Sequence, residues 1–138
     1  MNENYINLGS LCEGARYSEN LEVVINGLNP LCVLNLNYCS DYQGDVNIDV
    51  LLANGSVFIY DYSYGSCSGC DDWESRSLAD DEIEEEMLNS AVIYSINDYM
   101  EFMKKRQMNA KLKEDIFKII LTHFPKDFPP KIEDILVI

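Results

Sequence analysis

Tyr17 to Leu28 reads YSENLEVVINGL, and Leu21, Val24, Ile25 and Leu28 recur at the spacing of one helix face. Ser18 stands where an N-cap serine would accept a backbone N–H, and Gly27 with Pro30 mark the exit, so the pattern predicts a short amphipathic helix. The period then drops to two. In CVLNLNY, Cys32, Leu34, Leu36 and Tyr38 share one face, and Val33, Asn35 and Asn37 share the other, which predicts a strand with one wet side. Val46, Ile48, Val50 and Leu52 alternate with polar Asn47 and Asp49 in the next run. Asn54-Gly55 follows, then a returning run from Val57 to Tyr64. Asn-Gly favours a type I′ hairpin turn, because both central residues of that turn take positive φ.

From Ser77 the helical period returns. SLADDEIEEEMLNS gathers acids in its first turns, where they suit the positive end of the helix dipole, and Ile83 and Met87, with Leu88, would face inward. SINDYMEFMKKRQM begins with Ser95 and with Asp98 three residues later, in the manner of a capping box. Its stripe is Ile96, Tyr99, Met100 and Met103, and Lys104-Lys105-Arg106 suits its C-terminus. KLKEDIFKIILTHF places Leu112, Ile116, Ile119, Ile120 and His123 on one face before Pro125 stops it. Residues 124–138 read as an extended tail or an edge strand. The expectation is a single α+β domain over residues 1–138. A small antiparallel sheet with a hairpin at Asn54-Gly55 carries three to four helices packed on one side.

Length and composition agree with this. A chain of 138 residues is one domain, and a domain of that size buries roughly 70% of its unfolded surface. The charge adds something new. The formal net charge is -14, and it is unevenly placed: residues 1–103 hold 19 acidic and two basic residues, whereas residues 104–138 hold five acidic and eight basic ones. Such a field repels nucleic acid and anionic membranes and attracts basic protein surfaces. No stretch is apolar for long enough to span a membrane, and MNENYINLG lacks the basic and apolar regions of an export signal. Five cysteines, an odd number, then suit a reducing cytoplasm.

Candidate chemistry centres on YSYGSCSGCDDWE, Tyr62 to Glu74. Cys67 and Cys70 have the spacing that puts two sulfurs on one metal, and Gly65 and Gly69 allow a tight fold around them. A closed zinc site needs two further ligands. Cys39 is the foremost third and His123 or a carboxylate the fourth, with no second CxxC to complete the set. A redox pair is opposed by Asp71, Asp72 and Glu74, since adjacent carboxylates raise a thiol's pKa. The reading preferred here is a glycine-rich turn with reduced thiols and Trp73 as its anchor, so no cofactor is expected, with zinc the exception.

Other chemistry finds little footing. The single histidine, His123, lies on an apolar helical face, as core histidines do. No nucleophile elbow, P-loop or dinucleotide fingerprint is present. Asp41, Asp45, Asp49 and Asp61 read as the wet face of a one-sided sheet. Asp71 to Glu86 holds nine acids and one arginine. Asp71, Asp72, Glu74, Glu82, Glu84, Glu85 and Glu86 could stand in for phosphates against a basic groove. Tyr60, Tyr62 and Tyr64 share a strand face with Phe58. If helices leave that face open, the tyrosines and Trp73 are binding residues, since such rings are enriched at interface hot spots.

YSENLE, SDYQGDVNIDVLLANGSVFIYDYSYGSCSGCDDWE and the helix that follows resemble a group of short, uncharacterised proteins found largely in viruses of bacteria and archaea. The resemblance covers about residues 17 to 105, and its most specific part is Tyr64 to Asp71 with Trp73 and Glu74. No activity is attached to that group. The resemblance implies a host-directed protein in the cytoplasm of the host cell, an inhibitor of the anti-CRISPR or other anti-defence type. Its partner would be a host protein with a basic, nucleic-acid-binding surface, without direct contact to nucleic acid or membrane. Two alternatives stand beside it: a zinc- or thiol-dependent module on the CxxC loop, and an accessory structural viral protein.

Overall fold

The computed structural model describes residues 4–8, 17–37, 44–64 and 78–125. In chain order the elements are α1 (Ser18–Asn26), β1 (Pro30–Asn37), β2 (Gly44–Leu52), β3 (Ser56–Tyr64), α2 (Asp80–Ser90), β4 (Val92–Ser95), α3 (Ile96–Lys105) and α4 (Ala110–His123). The fold is α+β. The strands form one antiparallel sheet in the order β1-β2-β3-β4, so every neighbour in the sheet is also a neighbour along the chain.

The hairpin forms where expected but with a different turn. Leu51 pairs with Val57, which leaves Ala53, Asn54 and Gly55 as a three-residue loop. Only Gly55 takes positive φ, at 84°. Asn54 instead turns its side-chain oxygen to accept the Ser56 N–H at 3.1 Å. A three-residue loop ending in a left-handed glycine matches strand twist as well as the type I′ turn does. At the end of α1 the left-handed residue is Asn29, at φ 58°, while Gly27 stays right-handed. Ser18 is a buried first residue of α1, not its cap; Tyr17 holds that position and its side chain does not cap the helix.

The expected one-sided arrangement is corrected, because helices cover both faces of the sheet. Val46, Ile48, Val50 and Leu52 of β2 join Phe58, Tyr60 and Tyr62 of β3 under Leu21, Val24 and Ile25 of α1 and Ile83 and Met87 of α2. Leu51 and Val57, which point the opposite way, lie under Ile96, Tyr99, Met100 and Met103 of α3 and Ile116, Phe117 and Ile120 of α4. Each fully buried aliphatic or aromatic side chain contributes about 1.5–3 kcal/mol over its exposed state, so both layers matter. β1 serves both. Its pairing slips between Pro30 and Cys32 and again between Val33 and Asn35. These bulges break the strict alternation, so Leu34 joins one core while Leu36 packs on the other.

The helices follow the sequence to different degrees. In α3 the expected stripe of Ile96, Tyr99, Met100 and Met103 is buried, and the Ser95 hydroxyl accepts the Asp98 N–H at 3.1 Å as a cap. In α2, Ile83 and Met87 are buried as expected, but Leu88 is 44% exposed. In α4 the buried face is Lys113, Ile116, Phe117 and Ile120, whereas Leu112 and His123 are exposed. Apolar residues occupy more than half of that helix's circumference, so two stripes satisfy the period and packing selects one. His123 is therefore not a core histidine.

Candidate functional site

Two places in the described residues gather polar or charged groups beyond what folding alone asks for. The first lies beneath α3. Asp49, fully buried in β2, accepts the Tyr99 hydroxyl at 2.7 Å and forms a salt bridge with Arg106, the residue that ends α3. Arg106 also donates to the Asn47 side-chain oxygen at 2.9 Å, and Asn35 reaches that same oxygen at 3.2 Å. The guanidinium lies over the Phe102 ring, 5.1 Å from its centre. The expected wet face is thus divided: Asn37, Asp45 and Asp61 are exposed, whereas Asn35, Asn47 and Asp49 enter a hydrogen-bonded ladder across β1, β2 and α3 in which Asn35 and Asp49 are buried. Burial, and then the Asp49 carboxylate, pushes the Tyr99 hydroxyl far above the usual tyrosine range. Nearby Lys113 is 3% exposed, and burial followed by the Arg106 charge lowers its pKa. Every lone pair of this ladder that is accounted for faces protein, so its role is to specify the packing of α3 on the sheet.

The second place is the outer surface of α1 and α2. These helices carry eight carboxylates and no cation. Asp80, Asp81, Glu82 and Glu85 are exposed, and Glu84 and Glu86 are half-buried. The six cations among the described residues, Lys104, Lys105, Arg106, Lys111, Lys113 and Lys118, all belong to the α3–α4 layer across the sheet. The α1–α2 layer is therefore of one sign, whereas the α3–α4 layer mixes its cations with Asp98, Glu101, Glu114 and Asp115. Local bonds set the acidic helices in place. Asn20 of α1 donates to Asp80 at 3.2 Å and to Glu84 at 2.9 Å, and Glu82 accepts the Ala79 N–H at the start of α2. Glu22 and Asn26 hold residues 5–8 along α1: Tyr5 and the Leu8 N–H donate to Glu22, and Asn26 exchanges bonds with the Ile6 backbone. Between the helices lies an open groove of about 360 Å³, lined by Val23 and Val24 of α1, by Gly27 and Leu28 just past its end, and by Asp81, Glu84, Glu85 and Leu88 of α2.

The residues expected to bind a partner divide accordingly. Glu82, Glu84, Glu85 and Glu86 lie together on α2 as expected, two of them on the groove. Tyr60 and Tyr62 are 7% and 8% exposed and belong to the core beneath α1 and α2, which corrects the expectation that their face is open. Burial raises the pKa of the Tyr60 hydroxyl, and the nearby Ser90 of α2 opposes that shift. Cys39, Cys67, Cys70, Asp71, Asp72, Trp73 and Glu74 lie outside the described residues, as does the Tyr64 side chain. Among the described residues no cluster of three metal-ligating side chains occurs. No helix among them is long and apolar enough to cross a membrane. Sequence reasoning missed the groove. Its signal was Val23, an apolar residue one position off the predicted inner stripe of α1; Leu88, expected to face inward with Ile83 and Met87, is exposed.

In comparisons with protein-family models, with curated proteins and with solved structures, nothing matches this chain.

Proposed function

We propose that the chain acts by binding, with its α1–α2 layer engaging the basic surface of another protein and occluding it. The observation that supports this is the segregation of charge: eight carboxylates without a cation on one helical layer, and the described cations on the layer opposite. Random placement of surface charge would interleave the signs. A one-signed face instead sets up a potential that steers a complementary partner and orients it on arrival. The resemblance of residues 17–105 to small viral proteins directs the search for that partner to nucleic-acid-binding enzymes of a host cell, whose grooves are built to hold phosphates.

The test is capture from host lysate followed by kinetics on the captured protein. Asp81 and Glu85 are exposed and take no part in the bonds that set α2 in place, so reversing them to lysine changes the field and leaves the packing alone. The reversed chain should associate more slowly with the partner while its dissociation changes little. Added salt should slow the natural chain in the same way, since exposed charges are screened within about 10 Å at 0.1 M ionic strength. A captured partner whose association rate ignores both the reversals and the salt would refute the electrostatic reading.

A further inference from the structure

Resting on that reading, we infer that the groove between α1 and α2 is the seat of a basic amphipathic helix presented by the partner. Val23 and Leu88 are 55% and 44% exposed on an otherwise acidic surface, and together with Val24 and Leu28 they make an apolar floor. Asp81, Glu84 and Glu85 form its rim on the α2 side. Gly27 keeps the floor open. A Cβ at this position would meet only the Val23 and Val24 carbonyl oxygens, each at 3.5 Å, and Gly27 needs no positive φ. The missing side chain therefore leaves space without serving the backbone.

The geometry selects a helix. Val23, Gly27 and Val24, Leu28 along the last turn and exit of α1, and Asp81, Glu84, Glu85 and Leu88 on α2, recur at three- and four-residue spacing. Two such ridges side by side accept the ridge of a third helix, whose apolar i, i+4 and i+7 residues fill the floor. Charge selects its flanks: lysine or arginine beside the apolar stripe meets the Asp81, Glu84 and Glu85 carboxylates. Anionic lipid and nucleic acid are repelled by the same rim. A second copy using this same face would set carboxylates against carboxylates, since α1 and α2 hold no cation.

Two synthetic peptides of identical leucine, alanine and lysine composition test this. One places leucine at helical i, i+4 and i+7 with lysine flanking; the other scrambles the order and loses the stripe. Fluorescence anisotropy should show the striped peptide binding the natural chain at least about tenfold more tightly than the scrambled one. Gly27→Phe fills the floor and should remove that preference, while Gly27→Ala should keep it. Leu88→Lys, at an exposed position, should remove it too and guards against misfolding of the phenylalanine variant. Equal, salt-sensitive binding of both peptides, unaffected by Gly27→Phe, would overturn the groove and leave the electrostatic reading standing. Failure of both peptides to bind would sink both readings. A natural chain that elutes as a dimer, and becomes monomeric with Gly27→Phe, would overturn the partner helix in favour of a second copy.

Discussion

Arg106, one residue past the end of α3, forms a salt bridge with Asp49 in the middle of β2, 57 residues earlier in the chain. The two side chains differ in their access to water: that of Asp49 is 0% exposed and that of Arg106 15%. This asymmetry governs what each substitution should do.

Arg106→Met strands a buried carboxylate with the Tyr99 hydroxyl as its remaining charge-stabilising donor among the bonds described. Breaking a buried pair from one side costs about 3–5 kcal/mol, and that cost is expected here. Asp49→Asn should cost less, because the amide keeps the Tyr99 bond and the guanidinium can turn towards solvent. Chemical denaturation of the two variants and of their double measures this. Single variants within about 0.5 kcal/mol of the natural chain would show the pair to be dispensable.

Alkaline pH should unfold the protein through its tyrosines. Burial is the main cause that raises the pKa of both Tyr99 and Tyr60, with Asp49 adding to the shift at Tyr99. In the unfolded chain a tyrosine titrates near about 10. Above that pH the unfolded state has released protons that the folded state still holds, so stability falls as pH rises; below it the contribution is fully present. Each tyrosine adds up to about 1.4 kcal/mol per pH unit to the slope. Lys113 acts in the opposite sense. Its lowered pKa makes stability rise with pH up to the ordinary lysine value near about 10.4, so the tyrosine loss dominates beyond it. Denaturation curves between about pH 9 and pH 11 should therefore steepen in loss, and Tyr99→Phe should flatten them. An unchanged slope in Tyr99→Phe would show that this hydroxyl titrates normally.

Alanine in place of Tyr60 or Tyr62 should destabilise the fold by about 3 kcal/mol or more, as large-to-small changes in a core do. The rings of Phe58, Tyr60 and Tyr62 stack along β3 at centroid separations of 6.4 and 6.2 Å, beneath α1 and α2. Tyr60→Phe keeps the ring and gives up only the hydroxyl, a change of about 1 kcal/mol. Thermal melts decide the matter: a melting temperature unchanged in Tyr60→Ala would place the ring outside the core.

How much of this was legible depended on whether periodicity alone decided the question. In α3, Ile96, Tyr99, Met100 and Met103 are the only stripe the segment offers, and the helix buries it. The hairpin was equally plain because Asn54-Gly55 punctuates two alternating runs, although only Gly55 takes positive φ and the Asn54 side chain bonds to Ser56, so the turn is a three-residue loop and not type I′. The second face of the sheet was not legible. Asn35, Asn47 and Asp49 look like solvated positions, but Arg106, hidden within a basic run, and Tyr99 satisfy Asn47 and Asp49 in the interior, and Asn35 bonds to Asn47. β4 escaped notice because Val92 and Ile93 are exposed on a four-residue edge, too short for an alternation to register. The acidic surface of α2 was visible as charge, but the groove beside it needs α1 and α2 side by side, which no local pattern encodes.

β1, β2 and β3 follow one another by short connections, so their hairpins can close early, whereas β4 joins only after the longer connection that contains α2. The Arg106–Asp49 bridge is different. It needs β2, β3, β4 and α3 already in place before its two ends meet. We expect it to be absent from the transition state, so that Arg106→Met raises the unfolding limb of a stopped-flow chevron and leaves the folding limb nearly where it was. A slowed folding limb would show instead that the bridge forms early. On this view the ion pair does little to help the chain reach its native state and much to decide how long it stays there.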